Sequence, residues 1–377
     1  MESRKFNNSW KEYALYDLAN WKNGLAFNKI NFSEYGYPII KIAELKNGIT
    51  SQTNFTKNKY SEEVYLEKGD LIFSWSGNPE TSIDAYLYDL PEGYLNQHSF
   101  KVTPYEFINK YFLFYILKYL KPIFKKIASN KQTTGLGHIT VSDLRNLKIK
   151  IPTMKIQEKF LKIIKRIDDK IKLNNQTNDN LFGIGLELLK EDFNKKAEYE
   201  VLSNAIKFVK GKKPLDITLE IKEGYEKYLT IACLNGQELN YADPTKMVLS
   251  NNDLLMVMDG ASSGDVYYGG QGIVGSTLSR VDCIDDNYIS EFIYFIMKYY
   301  KDLIQSKNTG SAIPHTDKVF VGTLEVPKLL IEEQEKYKTL LYKIFQNMNE
   351  NKILEQLRDT LLPKLMNGEI NLDKIEV

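Results

Sequence analysis

The sequence of 377 residues is long enough for two to three domains, and 43% hydrophobic with 26% charged residues is ordinary for a globular protein. A formal net charge of +1 demands no polyanionic partner, although a local basic face could still bind DNA. Cys233 and Cys283 lie too far apart for a C-x-x-C zinc motif or a disulfide framework, so no metal is expected. No apolar run reaches the roughly 18–20 residues that span a bilayer, and the first residues carry no apolar signal segment. A cytoplasmic protein is therefore expected.

The first half of the chain predicts short strands followed by an aromatic helix. Strand patterns occur at residues 10–24 (with a turn of helix), 37–42, 67–77 and 94–102. Residues 109–127 place four bulky side chains on one helix face. A polar loop at 129–138 and a strand before Pro152 complete the half.

The second half repeats these landmarks in the same order. The matching positions are Leu15 with Leu202, Gly24 with Gly211, Gly77 with Gly260, and the strand before Pro152 with the strand before Pro327. Gly135 precedes Pro152 by 17 positions, and Gly310 precedes Pro327 by the same 17. The offset between the copies decreases from about 187 to 175 along the chain, as short loop deletions would cause. An internal duplication is therefore predicted.

Each copy ends in a long helix with a heptad pattern, the signature of a coiled coil. The seam residues are Phe160, Ile164, Ile167, Ile171, Asn174, Leu181 and Leu188 in the first helix, and Tyr337, Leu341, Ile344 and Met348 in the second. Asn174 and Asn178 are polar residues of the kind that fix register. After Met348 the second helix is expected to slip in phase. The alternative interpretation is a pair of ordinary amphipathic core helices.

Two copies of one unit are expected to pack as a pseudo-dimer about a two-fold axis, with the long helices antiparallel and a globular part at each end. The predicted fold class is α+β, with two globular α/β domains separated by an antiparallel coiled coil. The domains are 1–152 and 198–327 for the globular parts, and 153–197 and 328–377 for the helical regions.

Several stretches resemble the specificity (S) subunits of type I restriction–modification systems over essentially the full length. They are Gly69-Asp70-Leu71-Ile72-Phe73-Ser74-Trp75-Ser76-Gly77, Tyr94-Leu95-Asn96-Gln97-His98, Ile149-Lys150-Ile151-Pro152 with Ile156-Gln157-Glu158-Lys159, Val326-Pro327 with Glu333-Gln334, and the tail Leu357-Arg358-Asp359-Thr360-Leu361-Leu362-Pro363-Lys364-Leu365-Met366-Asn367-Gly368-Glu369-Ile370. The resemblance implies two target recognition domains, each of which reads half of a bipartite site in double-stranded DNA. It also implies two modification (methyltransferase) subunits and, through them, two restriction subunits. The second copy departs from the pattern, because Gly275-Ser276-Thr277-Leu278 stands where a Gln-His pair is expected.

Motifs for catalysis by this chain alone are absent from the sequence. Gly183-Ile184-Gly185 lacks a third glycine and a preceding strand, no paired prolines occur, and Gly211-Lys212-Lys213-Pro214 is not a Walker A loop. A nuclease site built from Asp216, Glu220 and Lys222 is a spacing that arises by chance. The chain is expected to perform no chemistry alone and to bind no cofactor, with S-adenosylmethionine, ATP and Mg expected on the partner subunits.

Candidate DNA contacts lie on polar and basic loops that recur in both copies. They are Ser76, Asn78, Thr81, Gln97, His98, Lys131, Gln132, Thr133 and Thr134 in the first copy, and Lys210, Lys212, Lys213, Ser262, Ser263, Lys307, Asn308, Thr309 and Ser311 in the second. His138 and His315 are assigned a structural or DNA-loop role. Replacing Lys131 or Lys212 with alanine is expected to weaken DNA binding and to lower its salt slope by about one unit.

Two other classes of function stay open at the level of sequence. One is a two-headed protein-interaction adaptor without nucleic acid, and the other is a stand-alone DNA methyltransferase or nuclease. Salt-dependent DNA retention and a cofactor-binding assay would separate them from the DNA-reading scaffold. The exteriors of the coiled coil, with the aromatic surfaces beside them, are expected to bind the methyltransferase subunits.

Overall fold

The computed structural model of the chain describes residues 10–132, 135–310, 313–370 and 372. Contacts divide the chain into unit 1, Met1–Asp169 with Ile353–Val377, and unit 2, Lys170–Lys352. Each unit combines small sheets and helices with a part of both long helices, so the α+β class expected from the sequence is confirmed. The domain boundaries drawn from the sequence stay predictions.

Unit 1 contains twelve strands and four short helices among the described residues. The strands are β1 Lys11–Ala14, β2 Ala19–Asn23, β3 Tyr37–Ile40, β4 Phe55–Thr56, β5 Tyr65–Leu66, β6 Leu71–Ser74, β7 Ser76–Gly77, β8 Asp84–Leu87, β9 Gly93–Leu95, β10 Ser99–Pro104, β11 Gly137–His138 and β12 Lys148–Ile151. The helices are α1 Ile42–Asn47, α2 Lys110–Tyr119, α3 Lys121–Asn130 and α4 Val141–Asn146, and the long helix α5 Met154–Lys195 begins in this unit.

The sheets of unit 1 surround an aromatic core. One sheet has the order β2-β10-β6-β8 and another the order β4-β3-β9-β5, in which β3 and β9 are parallel. All four residues of β6 are buried, which explains its unbroken apolar run. Phe112 of α2 packs edge-on against Phe160 of α5, with ring centroids 4.9 Å apart. The core helix is thereby fixed to the start of the long helix.

Unit 2 repeats this plan with fewer, longer strands. Its strands are β13 Tyr199–Val201, β14 Ile206–Lys210, β15 Glu226–Leu229, β16 Tyr241–Ala242, β17 Leu249–Val257, β18 Val266–Val274, β19 Leu278–Cys283 and β20 Glu325–Pro327. Its helices are α6 Leu202–Ala205, α7 Ile231–Leu234, α8 Ser290–Tyr299, α9 Lys301–Ser306 and α10 Lys318–Gly322, and the long helix α11 Ile331–Met366 begins in this unit. The main sheet has the order β14-β19-β17-β18-β15-β16.

The duplication extends to strand pairing and to backbone conformation. β1 pairs with β12 and β13 with β20, both antiparallel, while β3 with β9 and β15 with β18 are the parallel pairs. Gly69 (φ 93°), just before β6, and Asn252 (φ 65°), at a bulge inside β17, are both left-handed. Asparagine tolerates this conformation better than most residues, so the second copy keeps the left-handed position without glycine.

The alignment of Pro152 with Pro327 is wrong by two residues. The amide of Leu15 donates to the Leu147 carbonyl and that of Leu202 to the Leu324 carbonyl, which fixes the offset in this strand at 177. Pro152 therefore corresponds to Leu329. The second copy has two extra residues between its left-handed glycine, Gly310, and the strand, while its proline stands two positions earlier than Pro152 does. The two differences cancel, so the two 17-residue spacings are equal by coincidence.

Most of the predicted helix seam is buried. Phe160, Ile164, Ile167, Asn174, Tyr337 and Leu341 are buried, and Ile171, Leu181, Leu188 and Ile344 are half-buried. Met348 is 43% exposed, so its assignment to the seam is wrong, and Asn347 is buried in its place. Leu357 is exposed while Arg358 is half-buried, whereas Leu354 and Leu361 are half-buried and Leu365 is buried. Of the residues that were expected to continue the seam after Met348, Leu357 is therefore the one that lies outside it.

The polar residues of the seam in unit 2 bind one another. Asn174 Nδ2 donates to Asn351 Oδ1 at 2.9 Å, and Asn347 Nδ2 donates to Asn178 Oδ1 at 2.8 Å. Later residues of one helix meet earlier residues of the other, so α5 and α11 are antiparallel within this unit. Such a buried amide layer favours one register over neighbouring ones, because any shift leaves the amides unpaired.

Gly183 and Gly185 lie inside helix α5, and the two positions have different surroundings. A Cβ at Gly185 would lie 2.2 Å from the Phe295 ring, whereas nothing lies within 4 Å of one at Gly183. The G-x-G sequence is therefore a helix-packing feature. In the part of the chain that the structure describes, none of the helices has the length and apolar character needed to cross a membrane.

Candidate nucleic-acid interface

Three loops of unit 1 lie side by side where strand β6 ends. The amide of Trp75 donates to the His98 carbonyl at 3.2 Å, and the amide of Ile139 donates to the Trp75 carbonyl at 2.8 Å. In the adjoining antiparallel pair, Ser76 lies opposite His138. We call the loops that carry Ser76, His98 and His138 the loop edge of unit 1.

Trp75 is the support of this loop edge. Its ring stacks on Phe100 with centroids 5.7 Å apart, and its indole N–H donates to Asn23 Oδ1 at 2.9 Å. The His98 side chain is exposed, and that of Gln97 is half-buried with its Nε2 3.4 Å from His98 Nε2. A packed aromatic base thus presents polar side chains at known positions, as direct readout of base edges requires.

Unit 2 has the same edge built on different residues. The amide of Met258 donates to the Thr277 carbonyl at 2.8 Å, and that of Thr316 donates to the Met258 carbonyl at 2.8 Å. Asp259 lies opposite His315. We call the loops that carry Asp259, Thr277 and His315 the loop edge of unit 2; Thr277 stands where unit 1 has His98.

Most of the predicted DNA contacts on the first turn of unit 1 are exposed. Asn78 and Thr81 are exposed, and Ser76 is half-buried. Asn78 Oδ1 accepts from the amides of Glu80 (2.9 Å) and Thr81 (3.3 Å), so its side-chain oxygen shapes the turn. Its amide nitrogen is left to bind a ligand.

Lys131 is held by a carboxylate of its own unit. Its Nζ lies 2.6 Å from Asp143 Oδ2, and Thr140 also donates to that carboxyl group. Burial raises the pKa of Asp143, but the hydrogen bonds from Lys131 and Thr140 outweigh it and hold this pKa below its usual value. Gln132 is exposed, while Thr133 and Thr134 lie outside the described residues.

Two of the candidate residues in unit 2 are occupied with internal bonds. The hydroxyl of Ser263 is buried and lies within 2.7 Å of the carbonyls of Gly260 and Pro314. Asn308 Nδ2 donates to the Ser263 carbonyl at 3.0 Å. Both side chains therefore tie the loops together. Lys307 and Thr309 are exposed, Ser262 is half-buried, and Ser311 lies outside the described residues.

The basic turn after β14 is exposed, and it lies near a lysine that sequence reasoning missed. Lys210, Lys212 and Lys213 all have exposed side chains. Lys318 lies over the Phe208 ring at 5.7 Å, and burial together with the charge of Lys210 lowers its pKa. The Asp259 carboxylate acts on this pKa in the opposite direction, so Lys318 lies near charges of both signs.

Sequence reasoning also missed that His138 and His315 are counterparts. They are 177 residues apart, the offset found for the strand before each long helix. The spacing was available from the sequence, but the alignment on Pro152 and Pro327 concealed it. Among the described residues, no group of three or more metal-ligating side chains comes together.

Comparisons with known proteins agree with this architecture. Residues 7–181 match the family model of the type I restriction modification DNA specificity domain. The chain is 28% identical over 143 residues to the MjaVIII specificity subunit of Methanocaldococcus jannaschii, an alignment that covers 37% of this chain and 34% of that protein. It is 24% identical to the HindI specificity subunit of Haemophilus influenzae over 96% of this chain and 99% of that protein. The crystal structure of a type I S subunit from M. genitalium shares the fold, with a TM-score of 0.56, 17% identity, and coverage of 97% and 98% of the two chains.

A duplicated frame with two unlike loop edges thus carries, over residues 7–181, the type I restriction modification DNA specificity domain. Over nearly its full length the chain is similar to specificity subunits of type I restriction enzymes.

Proposed function

We propose that this chain selects the DNA sequence on which a type I restriction–modification complex acts, and that each unit reads one half of a bipartite, asymmetric site. The observation that carries the proposal is the repetition of one loop-edge frame with different residues in it. Ser76 and His98 of unit 1 are replaced by Asp259 and Thr277 at the corresponding positions of unit 2. Equal frames with unequal side chains present different hydrogen-bonding patterns, so the two half-sites differ in sequence.

In this proposal the long helices separate the two reading units and scaffold the partner subunits. The partners are two modification subunits and, through them, two restriction subunits. Catalysis and the binding of S-adenosylmethionine, ATP and Mg belong to those partners, and this chain is non-catalytic alone.

Grooves beside the long helices supply surfaces for the modification subunits. In unit 1 a groove of about 710 Å³ is lined by residues that include Phe114, Tyr119 and Leu362. In unit 2 a groove of about 590 Å³ includes Tyr342 and Met348, which are 65% and 43% exposed. Exposed aromatic and methionine side chains of this kind are enriched at protein interfaces.

The proposed function is tested by methylome sequencing of a host that expresses the chain with its modification and restriction subunits. We expect methylated adenine in a bipartite, asymmetric motif with a fixed gap, and no such motif in a host that lacks only this chain. A continuous motif, or an identical motif in both hosts, would refute the proposal.

The docking surface has its own test, copurification of the modification subunit with Tyr342→Ser and Met348→Ser variants. We expect reduced retention for both, and wild-type retention for Lys212→Ala, which alters only the basic turn. Wild-type retention for all three variants would show that the modification subunit binds elsewhere.

A further inference from the structure

All three histidines of the chain lie on the loop edges, and two of them are counterparts. His98 and His138 lie on the edge of unit 1, and His315 on the edge of unit 2. The offset of 177 residues between His138 and His315 is also that between Gln157 and Gln334, which make equivalent hydrogen bonds. The same uncommon residue therefore occupies the same place in both units.

Backbone hydrogen bonds hold both loops, and both histidine side chains are exposed. The His138 ring is exposed, and the side chain of His315 is 50% exposed. The loops are held by the backbone, through the amide bonds from Ile139 to Trp75 and from Thr316 to Met258. A ring that contributes little to packing is available to bind a ligand.

The residue opposite each histidine differs between the units. His315 Nδ1 lies 2.7 Å from Asp259 Oδ1, whereas His138 lies opposite the hydroxyl-bearing Ser76. In the neutral ring, an Nδ1–H that donates to Asp259 leaves Nε2 as a hydrogen-bond acceptor with a fixed direction. The Asp259 carboxylate also offsets the charge of a protonated ring, so the pair suits a base edge better than a phosphate.

We propose that Ser76–His138 and Asp259–His315 are corresponding base-reading pairs, in which His315 accepts a hydrogen bond from an exocyclic amino group of adenine or cytosine and Asp259 positions its ring. This inference rests on the proposed function and deepens it by naming a reading position in each unit. Ser76 can donate or accept, so it does not fix the His138 ring as Asp259 fixes that of His315. The two units thus obtain different specificity from one residue type.

The test measures DNA binding by the full chain assembled with its modification subunits. The probes are a duplex with the methylated bipartite site, duplexes with each base pair of that site replaced in turn, and an unrelated duplex. His315→Ala is expected to weaken binding to the intact site about tenfold and to remove discrimination at one base pair of one half-site. Binding to unrelated DNA and the salt slope stay at the wild-type value, because no phosphate contact is lost.

Variants at the neighbouring positions supply the controls. Asp259→Asn and Asp259→Ser are expected to relax the same base pair as His315→Ala, which a purely structural role would not do. His138→Ala is the matched control, because it must relax a base pair in the opposite half-site only. Melting temperatures close to the wild-type value are expected for all four, since the histidine rings are exposed and backbone hydrogen bonds hold the loops.

Two results would overturn the inference. One is wild-type discrimination in the His315→Ala and Asp259→Asn complexes. The other is an equal loss on specific and unrelated DNA with a lower salt slope, the signature of a phosphate contact. If the wild-type complex itself prefers no bipartite site, the proposed function fails, and this inference fails with it. If only this inference fails, the wild-type complex still prefers a bipartite site.

Discussion

Gln157 and Gln334, one in the first turn of each long helix, make the same three hydrogen bonds. Gln157 Oε1 accepts from the amide of Asn109 at 2.8 Å, and its Nε2 donates to the carbonyls of Phe107 (3.1 Å) and Pro152 (3.0 Å). Gln334 binds the amide of Ile289 and the carbonyls of Asn287 and Leu329 in the same way, and both side chains are fully buried. Each glutamine therefore ties the start of a core helix to the long helix of its unit.

Replacing Gln334 with leucine is expected to destabilise unit 2 by about 2 kcal/mol, because it takes this partner from the Ile289 amide, the Asn287 carbonyl and the buried Leu329 carbonyl. Amide hydrogen exchange would locate the effect. Exchange should accelerate at Ile289 and stay at the wild-type rate at Asn109, whose partner is Gln157. Gln346→Leu, an exposed position on the same helix, should change the free energy of unfolding by less than about 0.5 kcal/mol. Unchanged exchange at Ile289 would contradict the role assigned to Gln334.

Gly185 and Gly183 form a matched pair of sites within helix α5. Gly185→Ala places a methyl group against the buried Phe295 ring, so we expect a loss of about 1–3 kcal/mol in the free energy of unfolding. Gly183→Ala meets no neighbour and should instead stabilise the helix by about 0.5–1 kcal/mol. Chemical denaturation of both variants checks the opposite signs. A stable Gly185→Ala protein would show that α8 can withdraw from the long helix.

The duplication and the long helices could be predicted because period and landmark order are local properties of the sequence. The seam was misread where burial and polarity disagree, since Asn347 is buried beside the more apolar but exposed Met348. Periodicity analysis selects apolar residues, whereas part of this seam consists of asparagine side chains that form hydrogen bonds with one another. Ser263 was misjudged for a related reason, because only the folded loops bring the carbonyls of Gly260 and Pro314 to its hydroxyl.

Asp84 makes the stability of unit 1 dependent on pH. Burial raises the pKa of Asp84, but the ammonium groups of Lys118 and Lys121 outweigh it and hold this pKa below its usual value. A carboxyl group whose pKa is lowered by folding stabilises the protein above its unfolded pKa of about 3.9. That contribution is lost as the pH falls through the lower, folded value.

Acid denaturation of an Asp84→Asn variant tests this dependence. We expect a lower free energy of unfolding than wild type at pH 7 and a smaller further decrease on acidification below about pH 4. Lys121→Met removes one of the two cations and should reduce the same decrease to an intermediate extent. If the variant and wild type lose equal stability between pH 5 and pH 2, Asp84 is not a source of the acid sensitivity.

Lys212 and Lys131 were both expected to contact phosphate, and their surroundings now separate them. The Lys212 side chain is exposed on the basic turn, whereas the Lys131 ammonium lies 2.6 Å from the Asp143 carboxylate. A lysine that already has a counter-charge releases fewer ions from DNA than an exposed one does. In the assembled complex, Lys212→Ala should lower the salt slope of DNA binding by about one unit and weaken specific and unrelated DNA alike.

For Lys131→Ala we expect a smaller change in the salt slope and a loss of stability in its loop, because Asp143 loses a partner that holds the segment. Measuring binding from about 50 to 200 mM salt for both variants gives the two slopes directly. An equal decrease of one unit for both would mean that the Lys131–Asp143 pair opens when DNA binds. Wild-type slopes for both would remove these two loops from the DNA contact surface and leave the phosphate contacts to other lysines, of which Lys318, close to Lys210, is the next to test.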